Sequence, residues 1–240
     1  MNRRKRVLFG TLAALSALFA ITTAFRIFGP HDGKIDNETV EAYAKLGGEY
    51  GGWHSFPEGL WFDPGREGNV ISGFRFRSFP NSKLPEVPYP FKLDLRGSDV
   101  TDAGIGELRH LQNLVWLDLC RTKVTHAGVK ELAPLKKLKT LEIDTELMTD
   151  ETLRTLRSID LLHALCRARG KHDARPFSAE AVIALDLYHT PVTDKGLNEL
   201  VVLKNLQVLH LWDTKTTDAG IANFRNQMPR CRILRSSEDR

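Results

Sequence analysis

Four side chains in the carboxy-terminal third, Tyr188, His189, His210 and Trp212, combine two large aromatic surfaces with two imidazoles. Tyr and Trp join apolar area to a polar handle, the profile of residues that anchor a protein or peptide ligand at an interface. His189 and His210 with Asp186 offer a second chemistry, zinc binding. Three ligands of mixed phase make a poor cage, however, and scattered surface histidines are the simpler reading. Cys166, His172 and Asp173 have the residue types of a nucleophile, a base and an orienting group, but no motif for a catalytic pocket surrounds them. The residues therefore point to no enzyme, no metal and no cofactor. The three cysteines, Cys120, Cys166 and Cys231, lie far apart without a CxxC pair, so neither a zinc site nor a dense disulfide framework is indicated. A third group is acidic. Asp94, Asp118 and Glu142 recur at intervals of 24 residues.

That interval belongs to the whole chain from Leu93 onward. A phrase clearest at Leu185-Asp186-Leu187-Tyr188-His189-Thr190-Pro191-Val192-Thr193-Asp194-Lys195-Gly196-Leu197 repeats, aligning Leu93, Leu117, Leu141, Leu165, Leu185, Leu209 and Ile233. Only the step from Leu165 to Leu185 is short. Repetition at fixed spacing means stacked units that share one core. Within a unit, Leu-x-Leu alternates as a strand does, while Ile105, Leu108, Leu111 and Leu114 recur every three residues, as in a helix or 3-10 segment. Thr101-Asp102, Thr193-Asp194 and Thr217-Asp218 stand where a helix must be capped. The alternation sets two outward rows on the sheet: Asp94, Asp118, Glu142, Cys166, Asp186, His210, and next to it Arg96, Cys120, Asp144, Ala168, Tyr188, Trp212. Strands about 4.8 Å apart would make Asp94, Asp118 and Glu142 a ladder of like charge. Such a ladder needs balancing by Arg96 or Lys92, by a basic partner, or by a cation.

These residues resemble the leucine-rich repeat family, and most of all its bacterial 24-residue subtype with Val-Thr-Asp-x-Gly-Leu after the strand, related to the cysteine-containing, ribonuclease-inhibitor-like repeats. The resemblance covers about residues 91–234. Leu46-Gly47-Gly48 ahead of the array and Pro229-Arg230-Cys231-Arg232-Ile233 at its close resemble the subtype's two ends. It implies an α/β leucine-rich repeat solenoid, a short curved parallel sheet on the concave face with helices on the convex face, and protein recognition without a catalytic motif. Two units depart from the phrase. The third has Glu146 at the usual Thr and Thr152 at the usual Gly, which predicts a distorted turn. In the fourth, Arg167 falls at an inward apolar position and residues 168–176 replace the signature, so the unit is either a binding loop or a decayed repeat. Ser178 to Ile183 then recovers a helix-like pattern.

Upstream, residues 1–29 read as a basic cap followed by a transmembrane helix. Arg3 to Arg6 precede Val7 to Phe25, nineteen uncharged residues that as a helix span about 30 Å. An uncleaved anchor is favoured by its length over a signal peptide cut near Thr22-Thr23-Ala24. The positive-inside rule then places the amino terminus in the cytoplasm and the repeats outside it, with secretion after cleavage as the alternative. Without Arg3 to Arg6 the chain has 30 basic and 30 acidic residues, so its net charge of +4 is no argument for nucleic acid. Residues 30–90 form a linker, a helix capped by Asn37 and stopped by Gly47-Gly48, and an aromatic-rich stretch with an edge strand over residues 70–77. Its aromatics form either a ligand loop or a cover for the first repeat's open edge. Residues 91–234 are the repeat domain and 235–240 a polar tail. The expected protein is a membrane-anchored, extracytoplasmic module that binds a protein or peptide on its concave face, through Tyr188, His189, His210 and Trp212 or the acidic row. The alternative is an envelope spacer without a dedicated ligand. A ubiquitin-ligase-type adaptor and an enzyme are less favoured.

Overall fold

A computed structural model describes residues 35–56, 59–65, 71–80 and 82–235; the side chains of residues 53–61 lie outside the description. Helix α1 (Asn37–Lys45) is capped by Asp36, whose carboxylate accepts the Thr39 backbone N–H at 2.8 Å, so the cap is one residue earlier than expected. Gly47 stops it at φ 87°, a left-handed conformation in which only glycine is free of strain. Strands β1 (Glu49–Phe56) and β2 (Gly59–Pro64) form an antiparallel hairpin. Strand β3 (Ser72–Arg75) pairs antiparallel with β1 and parallel with β4 (Phe91–Asp94). The edge strand expected over residues 70–77 is thus an interior strand, because the hairpin supplies a partner that the glycine-rich sequence concealed. Tyr43 stacks on Phe74 with centroids 3.7 Å apart, and Phe74 in turn meets Phe91 edge-on. These rings close the open end of the core, as the covering role requires.

The regular units follow as strand, turn and short helix: β4 and α2 (Asp102–Gly106), β5 (Leu114–Asp118) and α3 (His126–Lys130), β6 (Thr140–Glu142) and α4 (Asp150–Ser158). After the irregular unit with β7 (Ala168–Arg169) come β8 (Ala184–Asp186) and α5 (Asp194–Glu199), then β9 (Val208–His210), α6 (Asp218–Gln227) and β10 (Arg232–Leu234). Neighbouring framework leucines pair in register, Leu93 with Leu117 and Leu117 with Leu141, then Leu185 with Leu209 and Leu209 with Ile233. The leucines among them are almost fully buried. At about 1.5–3 kcal/mol per buried side chain, this column dominates the stability of the stack.

The Thr-Asp-x-Gly of the phrase ties one unit to the next. Thr125, Thr149, Thr193 and Thr217 cap their own helices through the side-chain oxygen. The Asp that follows bonds instead to the next rung. Asp102 accepts the Thr125 N–H and hydroxyl, both at 2.7 Å, and Asp194 accepts the same groups of Thr217 at 2.8 and 2.7 Å. Glycine three residues after Thr125, Thr193 and Thr217 makes room for that carboxylate: a Cβ on Gly128 would stand 2.3 Å from Asp102 Oδ1. The anomaly of the third unit follows. His126 replaces the Asp of the second unit, so no carboxylate reaches Thr149, and Thr152 replaces glycine without collision. Thr152 is fully buried, with its hydroxyl 3.3 Å from that of Thr149. The turn of this unit is indeed distorted. Gly97, Arg121, His189 and Asp213 take positive φ at the turn position, whereas β-branched Thr145 does not, and a 3-10 turn over Thr145–Leu147 replaces the bend.

The fourth unit keeps a strand and loses its helix. Leu165 joins the sheet by a single bridge to Leu141, after which β7 runs antiparallel to β8 with Ala168 opposite Leu185. The assigned rows are wrong here by one residue. Ala168 is fully buried and Arg167 turns outward, since an unpaired guanidinium cannot replace an apolar side chain in the column. The helix-like pattern after Ser178 is one 3-10 turn, Ala179–Ala181. With no helix between them, α4 and α5 pack directly. Asp150 accepts the Thr193 N–H at 2.8 Å and hydroxyl at 2.6 Å, and nearly buried Glu199 holds Arg154 at 3.2 Å and Arg157 at 2.7 Å. The strands consequently fall into a six-stranded sheet, β2-β1-β3-β4-β5-β6, and a four-stranded one, β10-β9-β8-β7.

The first sheet rolls over its own concave face. Phe62 on β2 and Trp116 on β5 form a buried pair apart from the main core. On a flat sheet four strand spacings, about 19 Å, would separate those strands. The hairpin therefore lies over β4 and β5, which buries Lys92, Asp94 and Asp118 on a face expected to be open.

Candidate functional site

The roll leaves the concave face accessible in its second half, where β8 and β9 place Tyr188 and Trp212 on adjacent turns. Their rings are 15° from parallel with centroids 6.4 Å apart, and Trp212 is 39% exposed. His189 is not on the strand row. It sits in the left-handed bend at φ 56°, its ring 4.9 Å from Tyr188 and 4.8 Å from Trp212. Its Nδ1 lies 2.6 Å from a carboxylate oxygen of Asp213, which holds the same bend position one unit later. Arg167, displaced outward by the slip, lays its guanidinium 4.6 Å from the Tyr188 centroid and donates from Nη1 to the Tyr188 carbonyl at 2.9 Å. Arginine, tyrosine and tryptophan thus line up across three successive units. Sequence reasoning missed Arg167, which it assigned to an inward position; the signal was an arginine where no charge can be buried. His210 is on β9 in register with Asp186, partly exposed beside this stack.

Three of the four candidate acids close backbone turns. Asp94 accepts the Arg96 N–H at 3.0 Å, Asp118 the Cys120 N–H at 2.8 Å and Asp186 the Tyr188 N–H at 3.0 Å, each closing the turn two residues on. Asp94 also binds Arg75 at 2.7 Å and Asp118 binds Arg96 at 2.8 Å. The like-charge ladder is therefore balanced from within, by Arg75 and Arg96, while Lys92 is turned to the face of Trp116 at 5.3 Å. Burial raises the carboxyls of Asp118 and Glu142 above their ordinary range, with Asp118 adding to the effect at Glu142. Burial also brings Lys92 down to about 8.

Cys166 does not have the environment of a nucleophile. Burial, then the charge of Glu142, pushes its thiol up to about 12, where thiolate is a negligible fraction at neutral pH. Asp173 pairs with Arg169 at 3.2 Å rather than orienting a base. Cys120, expected to project outward, is buried beside Asp118, and Cys231 is buried where the last strand closes the core. Among the described residues no group of three or more His, Cys, Asp or Glu side chains is placed to hold a metal ion.

No protein-family model matches the chain, and no curated protein matches it. Solved structures do. An internalin from Listeria monocytogenes is 17% identical over 61% of this chain and 34% of its own, with a TM-score of 0.34. Internalin C2 of the same organism is 21% identical over 56% of this chain and 67% of its own, at 0.35. A leucine-rich repeat protein from Leptospira interrogans is 25% identical over 59% of this chain and 24% of its own, at 0.21. The chain spans about a third of the first of these. At such TM-scores the α/β repeat fold rests on the strand register and the Asp–Thr rungs, not on the superpositions.

Proposed function

We propose that the chain is a non-catalytic, protein-binding leucine-rich repeat module of the 24-residue type, which takes a protein or peptide ligand on the second half of its concave face. The observation that carries this reading is the stack of half-buried Tyr188 with exposed Trp212 on a face whose first half is roofed by the hairpin and holds the internally paired Asp94 and Asp118. Aromatic anchors of this kind contribute most of the energy of many interfaces. Tyr188→Ala with Trp212→Ala should abolish capture of the ligand from membrane extract while leaving the unfolding midpoint nearly unchanged, because neither side chain belongs to the leucine column. Unchanged capture would refute the assignment and favour a spacer.

The placement of the module in the cell rests on the sequence of residues 1–29. Among the described residues no helix is long and apolar enough to cross a membrane, and Val7 to Phe25 lie outside them. We read that stretch as an uncleaved single-pass anchor that holds the repeats on the extracytoplasmic side. A reporter enzyme fused after Arg240 should be active only when exported; activity confined to the cytoplasm would refute the placement.

A further inference from the structure

The break in the fourth unit exposes a surface that reaches from the aromatic stack to Phe177. Phe177 is 78% exposed, the most exposed large hydrophobic side chain described. It borders a cleft of about 350 Å3 shared with Lys171, Arg175, Pro176 and Ile183. Arg175 extends from that cleft to donate to the Cys166 carbonyl, the residue before Arg167, and Arg167 covers Tyr188. Contacts thus run from Arg175 to the Cys166 backbone and from Arg167 through Tyr188 to Trp212, and Phe177 follows Arg175 by two residues in the same loop.

The loop of this unit is basic. Residues 167–175 hold four cations, Arg167, Arg169, Lys171 and Arg175, against the single acid Asp173, in a chain otherwise near neutral. Asp186 holds the Tyr188 N–H and Asp213 holds His189, while Asp173 pairs with Arg169, Glu142 acts on Arg175 and Glu180 lines the cleft; among the described residues no carboxylate is paired with Arg167. One of the five N–H donors of Arg167 is used, by the Tyr188 carbonyl, among the described residues. The contact with the Tyr188 ring and the bond to its carbonyl restrain the guanidinium, whose remaining donors suit a carboxylate.

Resting on the binding site proposed above, we propose that its ligand is an acidic peptide segment of a protein partner, laid across the fourth unit with a carboxylate on Arg167 and apolar side chains against Trp212 and Phe177. The full chain in neutral detergent is panned against a displayed library of random hexapeptides, and selected peptides are titrated by Trp fluorescence. Enrichment of Asp and Glu several-fold above library frequency is expected, with at least tenfold weaker binding to Arg167→Glu and a smaller loss for Arg167→Lys. Peptides that need Tyr188 and Trp212 but show no acidic enrichment would overturn the ligand class and leave the site standing. Selected peptides that ignore Tyr188→Ala and Trp212→Ala would overturn both. Binding of phosphatidylglycerol vesicles through Arg167, with no peptide selected, would overturn the proposal in favour of a lipid surface.

Discussion

The rung between Asp194 and Thr217 can be broken from either side, and the two breaks should not add. A Cβ on Gly220 would lie 2.0 Å from both Cγ and Oδ1 of Asp194, and its three nearest atoms all belong to that carboxylate. Gly220→Ala must therefore expel Asp194 and forfeit its bonds to the Thr217 N–H at 2.8 Å and hydroxyl at 2.7 Å. Bonds of this charge-assisted kind are each worth about 1.5–3 kcal/mol when sheltered. Thr217 is exposed, so about 2 kcal/mol for the pair is a fair figure. Asp194→Ala should cost about 2 kcal/mol by the same loss. Gly220→Ala should cost slightly less, since Ala in a helix is favoured over Gly by about 0.5–1 kcal/mol. In the double variant the carboxylate is already gone, the collision vanishes and the helix gain remains. Its cost should be about 1–1.5 kcal/mol where addition would require about 3–3.5 kcal/mol. Urea unfolding of all four proteins, followed by circular dichroism, measures the cycle. Agreement of the double variant with the sum to within about 0.5 kcal/mol would refute the claim that this glycine exists to admit the carboxylate.

Three further outcomes can be checked. Asp150→Ala removes the bonds to Thr193 that carry the rung over the missing helix and should cost about 2 kcal/mol, with faster hydrogen exchange in α5 as its local signature. His163 is buried against the Leu138 and Asp160 backbone, and burial lowers its imidazole below the ordinary 6.5. The unfolded chain then binds the proton more readily, so stability should fall as pH drops through about 6.5 and be constant above it on this account; His163→Leu should remove that acid limb in urea midpoints measured from pH 5 to 7.5. Installing the absent rung by His126→Asp with Thr152→Gly should preserve or raise the unfolding midpoint, whereas His126→Asp alone should lower it by crowding buried Thr152, and an equal effect of single and double changes would count against the rung.

The repeat could be read from sequence because period-two leucines and capping threonines act locally, and each unit restates them. The glycine of the signature admits a carboxylate from the neighbouring unit, a partner that can be identified only once the units are stacked. The anomaly of Thr152 was legible as an anomaly, while its cause, His126, lies one unit away and required the same stacking. Rolling of the hairpin was hidden, since Gly51, Gly52, Gly59 and Gly73 weaken any strand pattern and the contact of Phe62 with Trp116 spans 54 positions of sequence. That roll converted Asp94 and Asp118 from candidate ligand groups into buried partners of Arg75 and Arg96. At the second half of the face the strand pattern placed Tyr188 and Trp212 correctly on one surface. It misplaced Arg167 because a one-residue slip reverses every side chain that follows.

The slip, the missing helix and the basic surface have one origin. Packed helices stand about 8–10 Å apart and paired strands about 4.8 Å, so a regular array curves around its sheet. Removing a convex helix while keeping a concave strand leaves the inner layer with one element too many. Asp150 and Thr193 close the outer layer, and the surplus must be absorbed inside. It is absorbed where β6 and β7 would pair, leaving a single bridge between Leu141 and Leu165. Backbone groups released there need partners, because a polar group left without one in the interior is costly. The Cys166 carbonyl receives them from Arg169, at 2.5 Å, and from Arg175. The cations that give the surface its charge are thus drawn to the concave side by the repair of the sheet, next to an aromatic pair whose position the regular repeats set. The loss of the helix is in this sense what brings Arg175 and Arg167 to the concave side, where the proposed ligand would meet them.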